Sequence, residues 1–419
     1  MPGGQRLVRL GVVGGRRGSN FSSALAHLKD RVQLTAVCDP KEEVRDRWRQ
    51  NQPDLALFGD WHELLRHGVC DALLIATPMQ VHAEQAIAAM RAGCDVLSEV
   101  PACLNPQEAE ELIKTVERTG RLYMMAENYC YRREHMMVQR MIDAGVFGEL
   151  TYAEGMYLHD CRGLKFEADG ALTWRGQLAH EMPRCNYYPT HSLGPIAQWL
   201  ALGRQDALES VYSLATPGLC MADYVQRRFG ERHPGALVDY WRRGDGASCL
   251  LRTRKGRVIH LRTDTSSARP HHMHSHELQG TRGCYRTAAV PDEPPLVWLD
   301  AISAEANPSC GAEQADVHGG DLRRFEPLWQ YADRFEHPRW RQSGDQARAT
   351  SHGGGDFFVL EDFVGAVRGE IANPIDIYDA VAWSSISWLS AESARTERAV
   401  LAPDYRRGRA GGQGARPRA

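Results

Sequence analysis

The hydrophobic pattern of the first third of the chain alternates short apolar runs with helical stripes. Leu7–Val13 (LVRLGVV) has the length of a strand and ends in Gly14-Gly15-Arg16-Arg17-Gly18-Ser19. Phe21, Leu25 and Leu28 follow at the spacing of a helix. Leu34–Cys38, Ala72–Ala76, Val96-Leu97 and Leu122–Met125 read as further buried strands. Lys41–Gln50 and His82–Ala92 read as helices between them. Asn105-Pro106-Gln107-Glu108 predicts a clean helix start, with a capping side chain, a proline at the first helical position and a glutamate able to reach back. Gly120 closes that helix. Alternation of this kind predicts a doubly wound α/β domain over residues 1–126, with a parallel sheet covered on both faces.

The pattern then changes. Glu134–Ala144 is helical, whereas Leu150–Gly155, Ser210–Ala215 and Ser248–Arg254 alternate like half-buried antiparallel strands. Lys255-Gly256 predicts a hairpin tip, and Asp356–Arg368 and Tyr378–Ser390 predict helices. Residues 127–404 therefore read as an α+β domain, a large, mostly antiparallel sheet with helices on one side. The Gly/Arg-rich stretch 405–419 has no apolar anchor after Tyr405 and reads as a disordered tail.

A length of 419 residues agrees with two domains. Fifty Lys+Arg against 53 Asp+Glu leave a net charge of −3, so no global basic field recruits nucleic acid or a membrane surface. Eleven cysteines without a C-x-x-C pair argue against a disulfide framework and a thiolate zinc site. No apolar run approaches a membrane span, and the N-terminus leads straight into a strand with no room for a signal peptide. A cytoplasmic protein is expected.

A glycine turn between a first strand and a helix brings backbone N–H groups to a pyrophosphate. Here Gly14, Gly15 and Gly18 stand in an imperfect version of the G-x-G-x-x-G pattern, with Arg16 and Ser19 where glycines would fall. Asp39 at the end of the second strand supplies a ribose-binding carboxylate that repels a 2′-phosphate, favouring NAD over NADP. Arg16 and Arg17 are candidates for phosphate pairing, Arg17 equally for a solvated surface charge. The alternative for the whole loop is a tight turn that binds no nucleotide.

Ala76-Thr77-Pro78-Met79-Gln80-Val81-His82, Ser98-Glu99-Val100-Pro101 and Ala126-Glu127-Asn128-Tyr129 resemble the Gfo/Idh/MocA oxidoreductase superfamily, whose first domain is a Rossmann fold. Within it, Tyr157-Leu158-His159-Asp160, Trp174-Arg175 and the run Tyr187–Pro195 (YYPTHSLGP) are similar to the NAD-dependent glycosidases of glycoside hydrolase family 109. Arg269-Pro270, Leu278–Gly283, His352–Phe357 and Asp376–Ala380 match as well, so the resemblance spans about residues 7–406. Dehydrogenases of the superfamily carry Glu-Lys-Pro where this chain has Glu99-Val100-Pro101. Valine takes no proton, and the glycosidase-like members also depart from lysine there. Lys165 is a candidate to substitute in space.

The resemblance implies a tightly held NAD, reduced and reoxidised within each turnover. Sugar C3 is oxidised, a base removes the C2 proton, the C1 substituent is eliminated, water adds and C3 is reduced again. No carboxylate pair at glycosidase spacing is needed, in contrast to ordinary glycoside hydrolysis. Carried over residue by residue, His191 is the acceptor for the 3-hydroxyl proton and Tyr157 the base at C2, its pKa lowered by the cofactor or Arg175. Tyr188 and His159 bind or relay protons, and Arg175 orients a hydroxyl or steadies an enolate oxygen. These roles are exchangeable among the same residues. Thr77, Pro78, His82, Glu99, Glu127, Trp174 and Arg175 are the implied cofactor contacts beyond the glycine turn. A small glycoside is the implied substrate, and a homodimer or homotetramer the implied assembly.

Each of these residues also has a plain structural reading. His191 could cap a helix, Tyr157 could pack across strands, and Arg175 could stack on the Trp174 indole. Asp356 and Asp379 could cap helices. The run His271-His272-Met273-His274-Ser275-His276 looks like a metal site, but strand alternation splits it between two faces and no carboxylate accompanies it; no metal is expected. The competing functions are a sugar dehydrogenase or epimerase that leaves the glycosidic bond intact, and a non-catalytic dinucleotide-binding sensor. The loop 206–242 and the insert 292–340 carry no readable signal.

Overall fold

A computed structural model describes residues 7–270, 272–290, 293–306 and 324–406. It divides into two compact units: one from Met1–Arg132, Arg339–Ser385 and Asp404–Ala419, the other from Arg133–Pro338 and Ile386–Pro403. The linear pattern placed one boundary after residue 126 and did not announce the return of 339–385 to the first unit.

The first unit holds six parallel strands, β1 (Val8–Val13), β2 (Val32–Cys38), β3 (Ala56–Phe58), β4 (Ala72–Ile75), β5 (Asp95–Ser98) and β6 (Tyr123–Met125), in the order β3-β2-β1-β4-β5-β6. This is the doubly wound order in which ligands meet the C-terminal ends of the strands where the order reverses. Leu10, Val12, Val37, Leu74, Ile75, Val96 and Leu97 are fully buried, as expected of strands covered on both faces. The helix Pro106–Thr119 begins as its sequence predicts. Asn105 accepts from the Glu108 amide at 2.9 Å, and the Glu108 carboxylate accepts from the Leu104 amide at 2.8 Å. The short β3 and the helix Trp61–His67 carry too little apolar periodicity to have been assigned from the pattern.

The returning segment contributes the helix Gly355–Val367, whose Phe358, Val359, Phe363 and Val364 are fully buried. The single helix expected over Tyr378–Ser390 is two, Ile377–Ser384 and Ile386–Thr396. Tyr405 and Arg406, placed in the tail by sequence, are described, and Arg406 pairs with Asp376 at 2.8 Å and Asp379 at 2.9 Å. Residues 407–419 lie outside the described residues.

The second unit is built on a sheet of nine strands among the described residues. They are β7 (Leu150–Leu158), β8 (Leu208–Ala215), β9 (Gly246–Thr253), β10 (Val258–Asp264), β11 (His272–Gly280), β12 (Gly283–Arg286), β13 (Leu296–Leu299), β14 (Glu326–Pro327) and β15 (Val400–Leu401). The order is β14-β13-β12-β11-β7-β10-β9-β8-β15, antiparallel except where β10 runs parallel to β7. The β9–β10 hairpin turns at Gly256, as its sequence predicts. One face alternates into the core through Val211, Cys249, Leu251, Ile259 and Leu261, while Tyr212, Leu214, Leu250 and Val258 stand exposed on the other.

Candidate functional site

The nucleotide-binding residues expected from sequence gather around the end of β1. Gly14 adopts φ 95°, which a side chain rarely tolerates, and a Cβ there would lie 2.4 Å from the Ala76 carbonyl oxygen. Gly15–Gly18 forms one helical turn directly after it. A Cβ on Gly18 would strike Val12 at 2.2 Å, so this glycine lets helix and strand approach each other. Arg16 is exposed and makes no side-chain pair among the described residues, leaving its guanidinium open to a phosphate. Ser19 donates to the Arg16 carbonyl at 2.9 Å. Asp39 is buried at the end of β2, where its Oδ1 accepts from the Lys41 amide at 3.0 Å. Thr77 donates to Gln85 at 2.7 Å, and Pro78 beside it is exposed. His82 ties two loops together, its ring nitrogens lying 2.8 Å from the Thr77 carbonyl and 2.9 Å from that of Pro101.

Arg17 is the residue whose surroundings differ most from the sequence reading. Its guanidinium sits 2.7 Å from Glu99 and 2.9 Å from Asp356. Asp356 has no exposed side-chain surface and also accepts from Asn128 at 2.8 Å, with the His352 ring at 3.0 Å. The Asp356 carboxyl, despite its burial, is held well below the usual carboxylate range by His352 and Arg17. Glu127 is fully buried and caps the turn at the Tyr129 amide. Next to it, the buried Oδ1 of Asn128 has no hydrogen-bond partner. The φ-positive turn, the open Arg16, the Asp39 carboxylate and this orphaned acceptor fit a bound dinucleotide. Asp39 would serve the adenosine ribose, the Gly14–Gly18 turn and Arg16 the phosphates, and Asn128 a donor such as a carboxamide or ribose hydroxyl.

In the second unit, four expected site residues meet at the end of β7. The Tyr157 ring lies 5.4 Å from Tyr188, 5.2 Å from His191 and 6.1 Å from His159, and Tyr188 lies 5.0 Å from His191. Local sequence explains the meeting. Gly155 shares a strand face with Tyr157, and a Cβ on it would lie 2.1 Å from the Ser192 carbonyl oxygen. The helix Thr190–Trp199 can therefore rest directly on β7, which carries His191 against Tyr157. Both are nearly buried, at 5% and 8% exposure, while Tyr188 and His159 are half-buried. Arg175 lies on the exposed face of the helix Trp174–Glu181, stacked on the Trp174 ring at 4.1 Å. Its charge still bears on Tyr187 and Cys161.

Lys165 is 1% exposed, with its Nζ donating to the Thr265 carbonyl at 2.6 Å. Burial, reinforced by the neighbouring Arg243 charge, brings its pKa down to about 7. Arg243 is 3% exposed and lies over the Tyr187 ring at 3.8 Å. Lys165 is a candidate from the sequence, whereas Arg243 falls one residue past the loop 206–242, which carries no readable signal. The pairing of an arginine with Gly244, which turns at φ 79°, was the available signal. Of the histidine run, His271 and the side chains of His272 and His274 lie outside the described residues; His276 is buried with Nε2 at 3.2 Å from the Ser192 carbonyl. Asp379 is buried and pairs with Arg406.

Residues 131–410 match the family described as "Glycosyl hydrolase 109, C-terminal domain". The chain belongs to glycosyl hydrolase family 109. Residues 8–127 match "Oxidoreductase family, NAD-binding Rossmann fold", so the first unit is an NAD-binding fold. Glycosyl hydrolase family 109 protein 1 of Shewanella sp. (strain ANA-3) is 34% identical over 96% of this chain and 86% of its own. The family 109 protein of Stenotrophomonas maltophilia is 33% identical over 96% of this chain and 90% of its own. Among solved structures, levoglucosan dehydrogenase in complex with NADH superposes with a TM-score of 0.74 at 19% identity, covering 95% of this chain and 100% of that one. The WlbA dehydrogenase from Bordetella pertussis, in complex with NADH and UDP-GlcNAcA, does so at 0.67 and 18%, covering 96% and 99%. These two share the fold. Family 109 membership with an NAD-binding oxidoreductase fold makes the protein an enzyme of the NAD-dependent glycosidase or sugar-oxidoreductase kind. Among the described residues, no helix is long and apolar enough to cross a membrane.

Proposed function

We propose that the protein is an NAD-dependent glycosidase that cleaves a small glycoside by transient oxidation at C3. The observation that carries this reading is the Tyr157–Tyr188–His191 cluster in the part of the chain that matches the family 109 domain. Bound NAD, held by the Gly14–Gly18 turn, Arg16 and Asp39, would supply hydride acceptance and return at C3. His191 accepts the 3-hydroxyl proton, the imidazole acting as general base. The 3-keto group acidifies the C2 proton, which Tyr157 removes as the C1 substituent departs. Tyr188 and His159 hold the ring and pass protons to the leaving group and from the incoming water. Arg175 steadies the enolate oxygen. The buried Val100 leaves no lysine in the Glu99-Val100-Pro101 loop, which supports His191 as proton acceptor.

The test is paired substitution. His191→Ala and Tyr157→Phe should each lower turnover of a 4-nitrophenyl glycoside by roughly 10²–10⁴-fold, with the amount of co-purified NAD unchanged. Full turnover in either variant contradicts the assigned role. A cytoplasmic homo-oligomer belongs to the same proposal. The exposed apolar residues Tyr212, Leu214, Leu250 and Val258 on the outer face of β8–β10 are the surface a second copy would cover.

A further inference from the structure

Buried charges ordinarily come with a counter-charge, because removing an ion from water is costly unless something replaces the water. The second unit breaks this rule twice at one place. Among the described residues neither Lys165 nor Arg243 makes an ion pair, although they are 1% and 3% exposed. Lys165 has a single backbone carbonyl as acceptor. Arg243 Nη2 has no hydrogen-bond partner at all. Its guanidinium lies over the Tyr187 ring face, and that ring is fixed in turn by its hydroxyl on Thr265 at 3.2 Å, the residue whose carbonyl holds Lys165.

Packing forces this arrangement. Trp241 is buried against Phe166, Met221 and Val225, with its indole N–H on the Gly235 carbonyl at 2.8 Å. Gly244, two residues after Arg242, turns the chain so closely that a Cβ would lie 2.0 Å from the Thr216 carbonyl oxygen. Arg243, between these anchors, is drawn inward. The carboxylates nearby are already engaged. Asp160 is held by both ends of the Arg162 guanidinium, at 2.9 and 2.7 Å, and Asp245 accepts from the Cys220 and Met221 amides. Lys165, Arg175 and Arg243 all act on the Cys161 thiol, so three cations converge on one small region.

We propose that Arg243 and Lys165 form an oxyanion-binding subsite of the substrate unit, taking a carboxylate or sulfate ester carried on the sugar. A planar guanidinium with an unused N–H and an ammonium beside it offer the donor set that such a group needs. The proposal rests on the preceding reading only in that the ligand is a sugar. It narrows the substrate to glycosides of uronic acids or sulfated sugars.

The test measures binding, so that it does not depend on turnover. Full-length, NAD-saturated protein is titrated calorimetrically with methyl glucuronide against methyl glucoside, and with galactose 6-sulfate against galactose. At least one anionic member should bind ten or more times tighter than its neutral partner, and the arm that does so identifies carboxylate or sulfate. In two buffers of different ionisation enthalpy at pH 8, that binding should take up protons as Lys165 becomes charged. Arg243→Met should reduce the anionic-to-neutral ratio at least tenfold, with partial recovery in Arg243→Lys. Should Arg243→Met fail to fold, Lys165→Met reads the same ratio. Equal binding in both pairs, or a ratio untouched by the substitutions, overturns the subsite. Tight anion binding in a protein that turns over no glycoside keeps the subsite and removes the glycosidase reading.

Discussion

Replacing Lys165 by methionine should make the protein more stable at neutral pH, and the size of the gain should depend on pH. The amine ordinarily titrates at 10.5 and in the folded chain at about 7. At about 1.4 kcal/mol per pKa unit, holding it charged in the folded state costs on the order of 4–5 kcal/mol at and below neutrality. Between about pH 7 and 10.5 the unfolded chain binds a proton that the folded chain does not, so this contribution to stability rises with pH, by up to about 1.4 kcal/mol per unit. Methionine fills similar volume but loses the bond to the Thr265 carbonyl, a loss of about 1–3 kcal/mol. A net gain of roughly 2–3 kcal/mol is expected at pH 7, shrinking to nothing or reversing by pH 10. Buried thiols work in the other direction. Burial raises those of Cys38 and Cys185 to about 12, and they withdraw stability as pH climbs past the ordinary thiol value. Only the difference between the two proteins isolates Lys165. Urea unfolding of NAD-saturated protein at pH 7, 8 and 9 under reductant supplies it. Parallel pH profiles, or a variant less stable than wild type at pH 7, would refute the reasoning and indicate a charge already compensated.

Four other substitutions probe the same architecture. Gly155→Ala places a methyl against the Ser192 carbonyl and should cost about 1–3 kcal/mol and most of the activity by shifting His191 off Tyr157, as read by thermal melting and glycoside turnover. Asp39→Asn should weaken NAD binding about ten- to hundredfold while NADP weakens less, as fluorescence titration with each would show. Asp356→Asn breaks a buried pair and should destabilise the protein by about 3–5 kcal/mol. Because the native carboxyl is held low, that difference is present above about pH 4 and is lost as the pH falls below it, which chemical unfolding at pH 7 and pH 4 and below would reveal. If the proposed homo-oligomer forms through the outer face of β8–β10, Leu250→Asp should give a smaller species than wild type in light scattering, without loss of secondary structure.

The sequence pattern reached far into the fold because buried parallel strands write themselves as continuous apolar runs. β1, β2, β4 and β5 were all visible, as was the capping of Pro106–Thr119. β3 was not, since three residues cannot show a period. Nor was the return of 339–385 to the first unit, because Asp356 meets Arg17 across 339 positions and no local pattern encodes such a pairing. The same distance hid Asp356 as a partner of Arg17. In the second unit, His191, Tyr188, Tyr157 and His159 were singled out through family resemblance, whereas the Gly155 contact that brings them together is a fact of packing. Arg243 was illegible for a related reason: a lone arginine in a turn reads as surface until Trp241 and Gly244 are seen to draw it inward.

The most direct measurement of the central claim is glycoside cleavage in D2O. Purified protein, with and without added NAD, is incubated with 4-nitrophenyl glycosides while absorbance and the mass of the released sugar are followed. Elimination through C2 requires aglycone release with one deuterium retained at C2 and no net NADH. Cleavage without deuterium at C2, or NADH accumulating while the glycosidic bond stays intact, would contradict it.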